Sequence, residues 1–548
     1  MGISQGATCR FRYADSAVAQ LLDIFGFLSV LLRGLTLAFE SLTVGGVIFL
    51  SVIAGKLASP DLTRRLMRQL AIFSVLLCVT QTGDVCANSA ILVGTAYVPW
   101  ADVAGAGFFK AGAVLVAGAV LVLAAARTRA ARVVWPAGCA MILMGSVMTS
   151  HSAARLDHRW TMAALTLLHQ VATAAWIGGM PYLLVSLKHP SNDASATAIT
   201  GRFSKMAIVS VTVLICAGLA MAGGYIGSWD ALAGTAYGAM VTSKAIMALV
   251  LLGLGALNFR LVRAARSGNT LLSLRRFAEA EVGIGFTVIL AAASLTSTPP
   301  AADVREDRVT LAQTAERMRP VLPRMTTPAV SELTPAGPLS APDDTVRLQS
   351  FIPGQTASRN NPADIAWSEY NHHWAGLVVL AIGLLAVLAR WFTWARHWPL
   401  IFFGLAAFLL VRADAENWPL GPRGFWESFQ VAEVAQHRVF VLLIVLFAVF
   451  EWSVQTGRVT SQYAKLVFPL VCAVGGALLL THSHSLGNVK EEFLAELSHI
   501  PLAILGVLAG WSRWLEIRLP PERTGAVKWI WPVCFVLVGG ILLNYRES

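Results

Sequence analysis

Apolar residues gather into long unbroken runs, separated by short polar breaks that hold much of the Lys and Arg. A helix needs about 20 consecutive apolar residues to cross the hydrocarbon core of a bilayer. Runs of that kind fall near 28–55, 70–94, 103–126, 133–150, 161–187, 206–227, 240–262 and 279–297. They resume near 373–393, 398–413, 435–454, 464–481, 497–515 and 527–544. The pattern predicts an all-α, polytopic integral membrane bundle of about 14 transmembrane helices, a block of eight followed by a block of six. The expected organisation is a membrane domain over 1–298, an excursion over 299–371 and a second membrane domain over 372–548. The tenth run, Trp398 to Ala413, is short. The excursion is rich in Pro, Ser, Thr and Ala and holds no Cys or His, so it reads as a linker or small periplasmic projection, not a catalytic domain.

Charge then orients the bundle. Lys56, Arg64, Arg65 and Arg68 follow the first span, Arg127, Arg129 and Arg132 the third, and Arg260, Arg263 and Arg266 the seventh. Arg390 and Arg396 follow the ninth, Arg458 and Lys465 the eleventh, and Arg513, Arg518 and Arg523 the thirteenth. Basic loops stay on the cytoplasmic side, so both termini are expected to face the periplasm. The chain is 56% hydrophobic and only 13% charged, against about 25% charged in soluble proteins. The net charge of +11 belongs to these topology-setting loops and implies no nucleic-acid partner; the expected surroundings are membrane lipids. Met1 to Gln20 lacks the ordered regions of a cleavable signal, so the first run is expected to be a permanent span. The seven cysteines form no CxxC pair and read as small buried hydrophobes. Gly45-Gly46, Gly178-Gly179 and Gly475-Gly476 would let helices approach closely. Glu40, Asp84 and Lys110 fall inside apolar runs, where charges are paired or line a pathway; Asp84 and Lys110 are on consecutive spans and could pair.

Histidine carries the candidate chemistry. Of the eleven, His151, His158, His372, His373, His437, His482, His484 and His499 fall on the expected outer side, and only His189 and His397 on the inner one. His169 stands inside span five, about 12 Å from its outer end at 1.5 Å per residue. Imidazole is the commonest metal ligand and is costly in hydrocarbon. Met141, Met144, Met148 and His151 share one helix face, and thioether with imidazole suits copper, Cu(I) especially. The alternative is that methionine at helical spacing is core filler. In the second block His372, His373, His437, His482, His484 and His499, with Glu496 one helical turn before His499, form a rim suited to Cu(II), Cu(I) or Zn. Isolated histidines tolerated at a polar interface are the alternative there. No Walker motif, DKTG phosphorylation sequence or Cys-Pro-Cys relay is present, which argues against ATP-driven pumping.

Several segments carry a family resemblance. These are Ser150-His151-Ser152-Ala153-Ala154, LHQVATAAWIGGMPYL from Leu168, RFSKMAIVSVTVLICAGL from Arg202, GTAYGAMVTSKAIMALVLLGLGALN ending at Asn258, and RRFAEAEVGIG running on to LTSTPP at Pro300. Together they resemble the CopD/PcoD family of bacterial copper-resistance membrane proteins. The second block, with AWSEYNHHWAG and THSHSLGNVKEEF, resembles the additional C-terminal region of longer CopD-like proteins. The resemblance implies a non-enzymatic role in copper homeostasis at the bacterial inner membrane, with a copper ion as cargo passing toward the cytoplasm. It also implies that His151 and His169 are the family-type histidines. A fused CopC-like domain is lacking, so a partner of that kind would be a separate periplasmic copper-binding protein. CopD-like helices also resemble the HemJ type of haem b membrane oxidoreductase, in which a span histidine such as His169, with His437 or His499, would bind iron axially. A third reading is an assembly factor that loads copper onto partner proteins.

Overall fold

The computed structural model describes residues 5–547, apart from 97, 127–130, 191–192, 265–267, 305–307, 334–360, 413, 416, 431 and 481–488. Among the described residues, eleven helices are long and apolar enough to cross a membrane and three shorter apolar ones accompany them. In chain order these are α1 (Phe25–Ala54), α2 (Pro60–Ala96), α3 (Gly107–Ala125), α4 (Val133–Met148), α5 (Arg159–Lys188), α6 (Ala194–Tyr225), α7 (Ala236–Leu261) and α8 (Leu272–Leu295). They continue as α9 (Pro362–Leu388), α10 (Thr393–Arg412), α11 (His437–Gln455), α12 (Ala464–Leu479), α13 (Glu496–Arg518) and α14 (Val527–Leu543). This all-α polytopic membrane bundle matches the expectation from hydropathy span for span. The weak tenth run is extended by a 3-10 stretch, Thr393–Ile401, ahead of α-helical Phe402–Arg412. Pro399 lacks the N–H that a regular α-helix would use there.

The chain divides into two compact units. The first gathers α1 to α6 and most of α7 and α8. Its centre is the crossing of α1 with α5. A Cβ on Gly45 would overlap the Ala174 carbonyl oxygen, and one on Gly178 would overlap that of Ser41. Two of the glycine pairs therefore meet each other, backbone against backbone. Tyr182 locks the crossing by donating its hydroxyl to Leu42 O at 3.0 Å and stacking on Phe49. At this contact α5 winds as a π-type turn over Ala174–Gly178.

The second unit holds α9 to α14 around Ile382, Trp398, Phe468 and Trp531. Glu516 joins Arg390, Arg513 and the Trp531 indole N–H (2.7 Å), so its buried charge is paired. Over 308–333 the stretch between the blocks belongs to this unit. It forms a short helix, Leu311–Arg317, closed by a Thr310–Gln313 capping box, and then runs on as Val321 N–H donates to Asn544 Oδ1 at 3.0 Å.

The expected Asp84–Lys110 pair is absent. Lys110 is exposed near the start of α3, where its long stem can carry the amine to the interface. Asp84 instead accepts from Asn88 Nδ2 at 3.3 Å, with Arg33 as the charged group nearby.

Candidate functional site

In the first unit, one-turn helix His151–Ala154 follows α4. His151 Nε2 bonds Leu295 O at 2.8 Å, tying that turn to the end of α8, and its ring lies 6.2 Å from that of Tyr225. Arg155 donates to Gly224 O at 3.0 Å and covers the same tyrosine. Met144 and Met148 do not turn toward the bundle. They are 59% and 44% exposed, on the outward side of α4, while Ile142, Leu143 and Ser146 are buried. The expected common face therefore does not extend to His151, which lies on its own one-turn helix and turns toward α8 while the methionines of α4 face outward.

His169 sits on α5 against α6. The Leu214 backbone holds the ring, and the Nδ1 atom is buried with no partner among the described residues. A neutral imidazole carries one N–H and one lone pair, so this deep ring can offer a lone pair to an ion. Gly218 makes room for it: a Cβ there would touch the ring at 3.7 Å. Lys244 of α7 lies within electrostatic reach, so a cation at His169 meets repulsion unless that amine is neutral or displaced.

Further along α5, past the π-type turn, a cavity of about 360 Å³ opens between α5, α6, α7 and α8. Glu281 is buried in its wall, accepting from the Trp176 indole N–H at 3.1 Å and from Asn258 Nδ2 at 2.6 Å. Asn258 Oδ1 has no partner among the described residues, and Met180, Thr200 and Ser204 complete the lining. Both hydrogen bonds come from neutral donors. A carboxylate held this way has no compensating charge beside it, and a proton or a bound cation would supply one. Sequence reasoning missed this group. Its one signal was a glutamate inside an apolar run, the same signal that singled out Glu40.

In the second unit the candidate ligands separate by how their ring nitrogens are used. A neutral imidazole offers one N–H and one lone pair. His373, 1% exposed, uses both: Nδ1 accepts from Arg324 N–H at 2.7 Å and Nε2 donates to Tyr545 O at 2.9 Å. It is a structural clamp between the 308–333 stretch and the C-terminal residues. His372 donates Nδ1–H to Ser368 O at 2.8 Å and stacks on Tyr545, ring centroids 3.8 Å apart. That backbone anchor orients Nε2 as metal-binding imidazoles are commonly oriented. His499 lies edge-on to the same tyrosine at 6.3 Å, and Glu547 takes a hydrogen bond from Tyr545 Oη at 2.9 Å. His437 pairs through Nδ1 with Asp414 Oδ1 at 2.8 Å. Glu496 is buried near the start of α13. His482 and His484 lie outside the described residues. Beside this rim opens a cleft of about 820 Å³ lined by Arg317, Arg324, Arg546, Glu316, Glu369 and Glu547. Burial lowers the Arg317 affinity for its proton, with Tyr545 and Glu547 opposing.

His372 and His499 thus share one aromatic neighbour, while His151, His169 and His437 belong to separate surroundings. Among the described residues, no three His, Cys, Asp or Glu side chains form a group able to hold a metal ion.

Fourteen apolar helices with ionisable groups inside them define a multi-pass membrane protein. Residues 197–295 match the family model described as Copper resistance protein D, a match confined to that part of the chain. Over 161 residues it is 30% identical to the "Copper transport protein CutJ" of Bacillus subtilis (strain 168). The alignment covers 29% of this chain and 29% of that relative. No solved structure matches the chain. The matched domain contains Gly218, Lys244, Asn258 and Glu281. Both matched descriptions name copper, and neither mentions haem.

Proposed function

We propose that the protein is a plasma-membrane copper permease that takes copper from the outer side and passes it inward through the first unit. The match of residues 197–295 to the CopD family carries this reading. In it, His151 stands at the outer end, His169 offers its bare Nδ1 within the bundle, and the Glu281 cavity receives the ion in the inner half. Basic loops after the odd-numbered spans support that orientation. The His372–His499 rim captures copper for delivery, directly or from a separate periplasmic copper-binding protein. A soft imidazole followed by a hard carboxylate gives successive weak sites, so the ion is never held too tightly to leave.

The test is uptake of isotopic copper into liposomes containing the purified chain, with metal content and the absorption spectrum recorded on the same preparation. Uptake that falls on replacing His169 with Ala supports the permease. Copper bound at the rim without any uptake would replace it with a protein that only loads partners. Iron with a Soret band would refute the copper reading.

A further inference from the structure

The first unit contains a second set of polar groups that the copper path does not use. Thr36, Glu40 and Thr43 recur along α1 at spacings that put them on one face, and each is 3% exposed or less. Glu40 falls near the middle of the Phe25–Ala54 span. The Oγ1 atoms of Thr36 and Thr43 and the Oε2 atom of Glu40 have no hydrogen-bond partner among the described residues. This is not how hydroxyls behave elsewhere in the bundle. Ser74, Thr80, Thr166, Thr173, Thr200, Thr212 and Thr287 each return their hydroxyl to the backbone carbonyl one turn earlier. Thr36 and Thr43 do not make that bond.

Neighbouring helices supply the rest of the seam. Ser146 of α4, fully buried, lies close to the Glu40 carboxyl and accepts from Gln170 Nε2 of α5 at 2.9 Å. Gln170 Oε1 and, on α2, Gln81 Oε1 are again buried without partners. On Thr36, Glu40, Thr43, Gln81 and Gln170 the unpartnered atoms are oxygens. Such a set suits protons and water, not a soft copper ion. Buried oxygens left bare are costly, and in hydrocarbon nothing but water or a proton-bearing group can relieve them. The charged group facing Glu40 is Arg33 on its own helix, with Asp84 of α2 also near that guanidinium. From α4 and α5 the facing groups are the neutral Ser146 and Gln170, and α8 meets α1 at Gly34 through Leu290.

We propose that this face of α1 is a proton-carrying seam, with Glu40 as the carboxyl that takes up and releases the proton, coupled to copper movement through the same unit. Hydronium gives its proton to Oε2, forming an O–H bond and leaving water. The hydroxyls of Thr36 and Thr43 and seam water carry the proton on. Coupling rests on the copper-transport reading; proton binding at Glu40 does not.

Two measurements on the full-length protein separate these parts. Infrared difference spectra of copper-free protein across a pH series report a protonated-carboxyl C=O band, expected in the wild type and lost in Glu40→Gln. In liposomes, an inward proton gradient should accelerate copper uptake, and Glu40→Gln should reduce uptake to the level seen without the gradient. A titrating band lost in Glu40→Gln in a protein that moves no copper keeps the proton site and rejects the transport reading. Copper uptake whose gradient dependence survives Glu40→Gln, with an unchanged carboxyl band, overturns the seam. Should Glu40→Gln fail to fold, Thr36→Val with Thr43→Val keeps the shape and removes the hydroxyls. Gradient dependence is expected to fall in that double variant, and its full retention overturns the seam equally.

Discussion

Replacing His372 and His373 in turn with alanine separates two adjacent histidines that have opposite roles here. Loss of the His373 ring strands the buried Tyr545 C=O, at about 1–3 kcal/mol, and removes the bond to the part-buried Arg324 N–H, at about 0.5–1.5 kcal/mol, for a total of about 1.5–4.5 kcal/mol. That is a large share of the roughly 5–15 kcal/mol that stabilises an ordinary domain. His372 donates to Ser368 O within its own helix, so its removal strands no comparable buried group. What it loses is the stack on Tyr545, about 0.5–1.5 kcal/mol. His373→Ala should therefore unfold well below the wild type in a detergent thermal melt, with whatever copper binding survives in the folded fraction unchanged per chain. His372→Ala should melt nearly normally and bind copper at the rim at least ~10-fold more weakly, since even changes behind a ligand reach that size. Equilibrium dialysis with elemental analysis gives the second quantity on the same samples. A His373→Ala protein that melts normally and loses copper, beside a His372→Ala protein that keeps it, would refute the assignment of the ring nitrogens.

Other outcomes follow from the same geometry. His151→Ala should lower copper uptake, whereas Met144→Leu with Met148→Leu should leave it unchanged, because both thioethers are on the exposed side of α4. Glu281→Gln puts an amide donor against Trp176 N–H or Asn258 NH₂, at about 1–3 kcal/mol; uptake should drop more than binding at the rim does. Gly178→Ala forces a methyl onto the Ser41 carbonyl and should cost about 1–3 kcal/mol, while Gly475→Ala, facing open space, should be neutral or stabilising by up to about 1 kcal/mol in a denaturation series.

The spans were legible because hydrocarbon imposes length and composition directly on sequence, so even Thr393–Arg412 could be counted although Pro399 disturbs its winding. Glycine pairs 45-46 and 178-179 were legible as points of close approach, though their meeting each other was not. Which way a stripe faces was hidden. In a membrane the lipid side is as apolar as the bundle side, so the Met144–Met148 spacing could not say whether it points inward. The Glu281 group was hidden because its two donors stand 23 and 105 positions away. His373 and His372 look alike in sequence, and only the partners of each nitrogen distinguish a clamp from a ligand.

The π-type turn of α5 ties these positions together mechanically. An added residue in one turn shifts the phase of everything beyond it by about 100°. His169, before the turn, faces α6 at Gly218, while Trp176, within it, reaches Glu281 on α8. One helix thus behaves as a crankshaft with two offset throws. The offset is pinned where α1 lies against Ala174 and Gly178. Excising one residue from 174–178 would turn the inner throw away from Glu281 and leave the outer one where it is. Sliding the turn along the helix would swing one throw past the other while both ends of α5 stay anchored at the membrane faces.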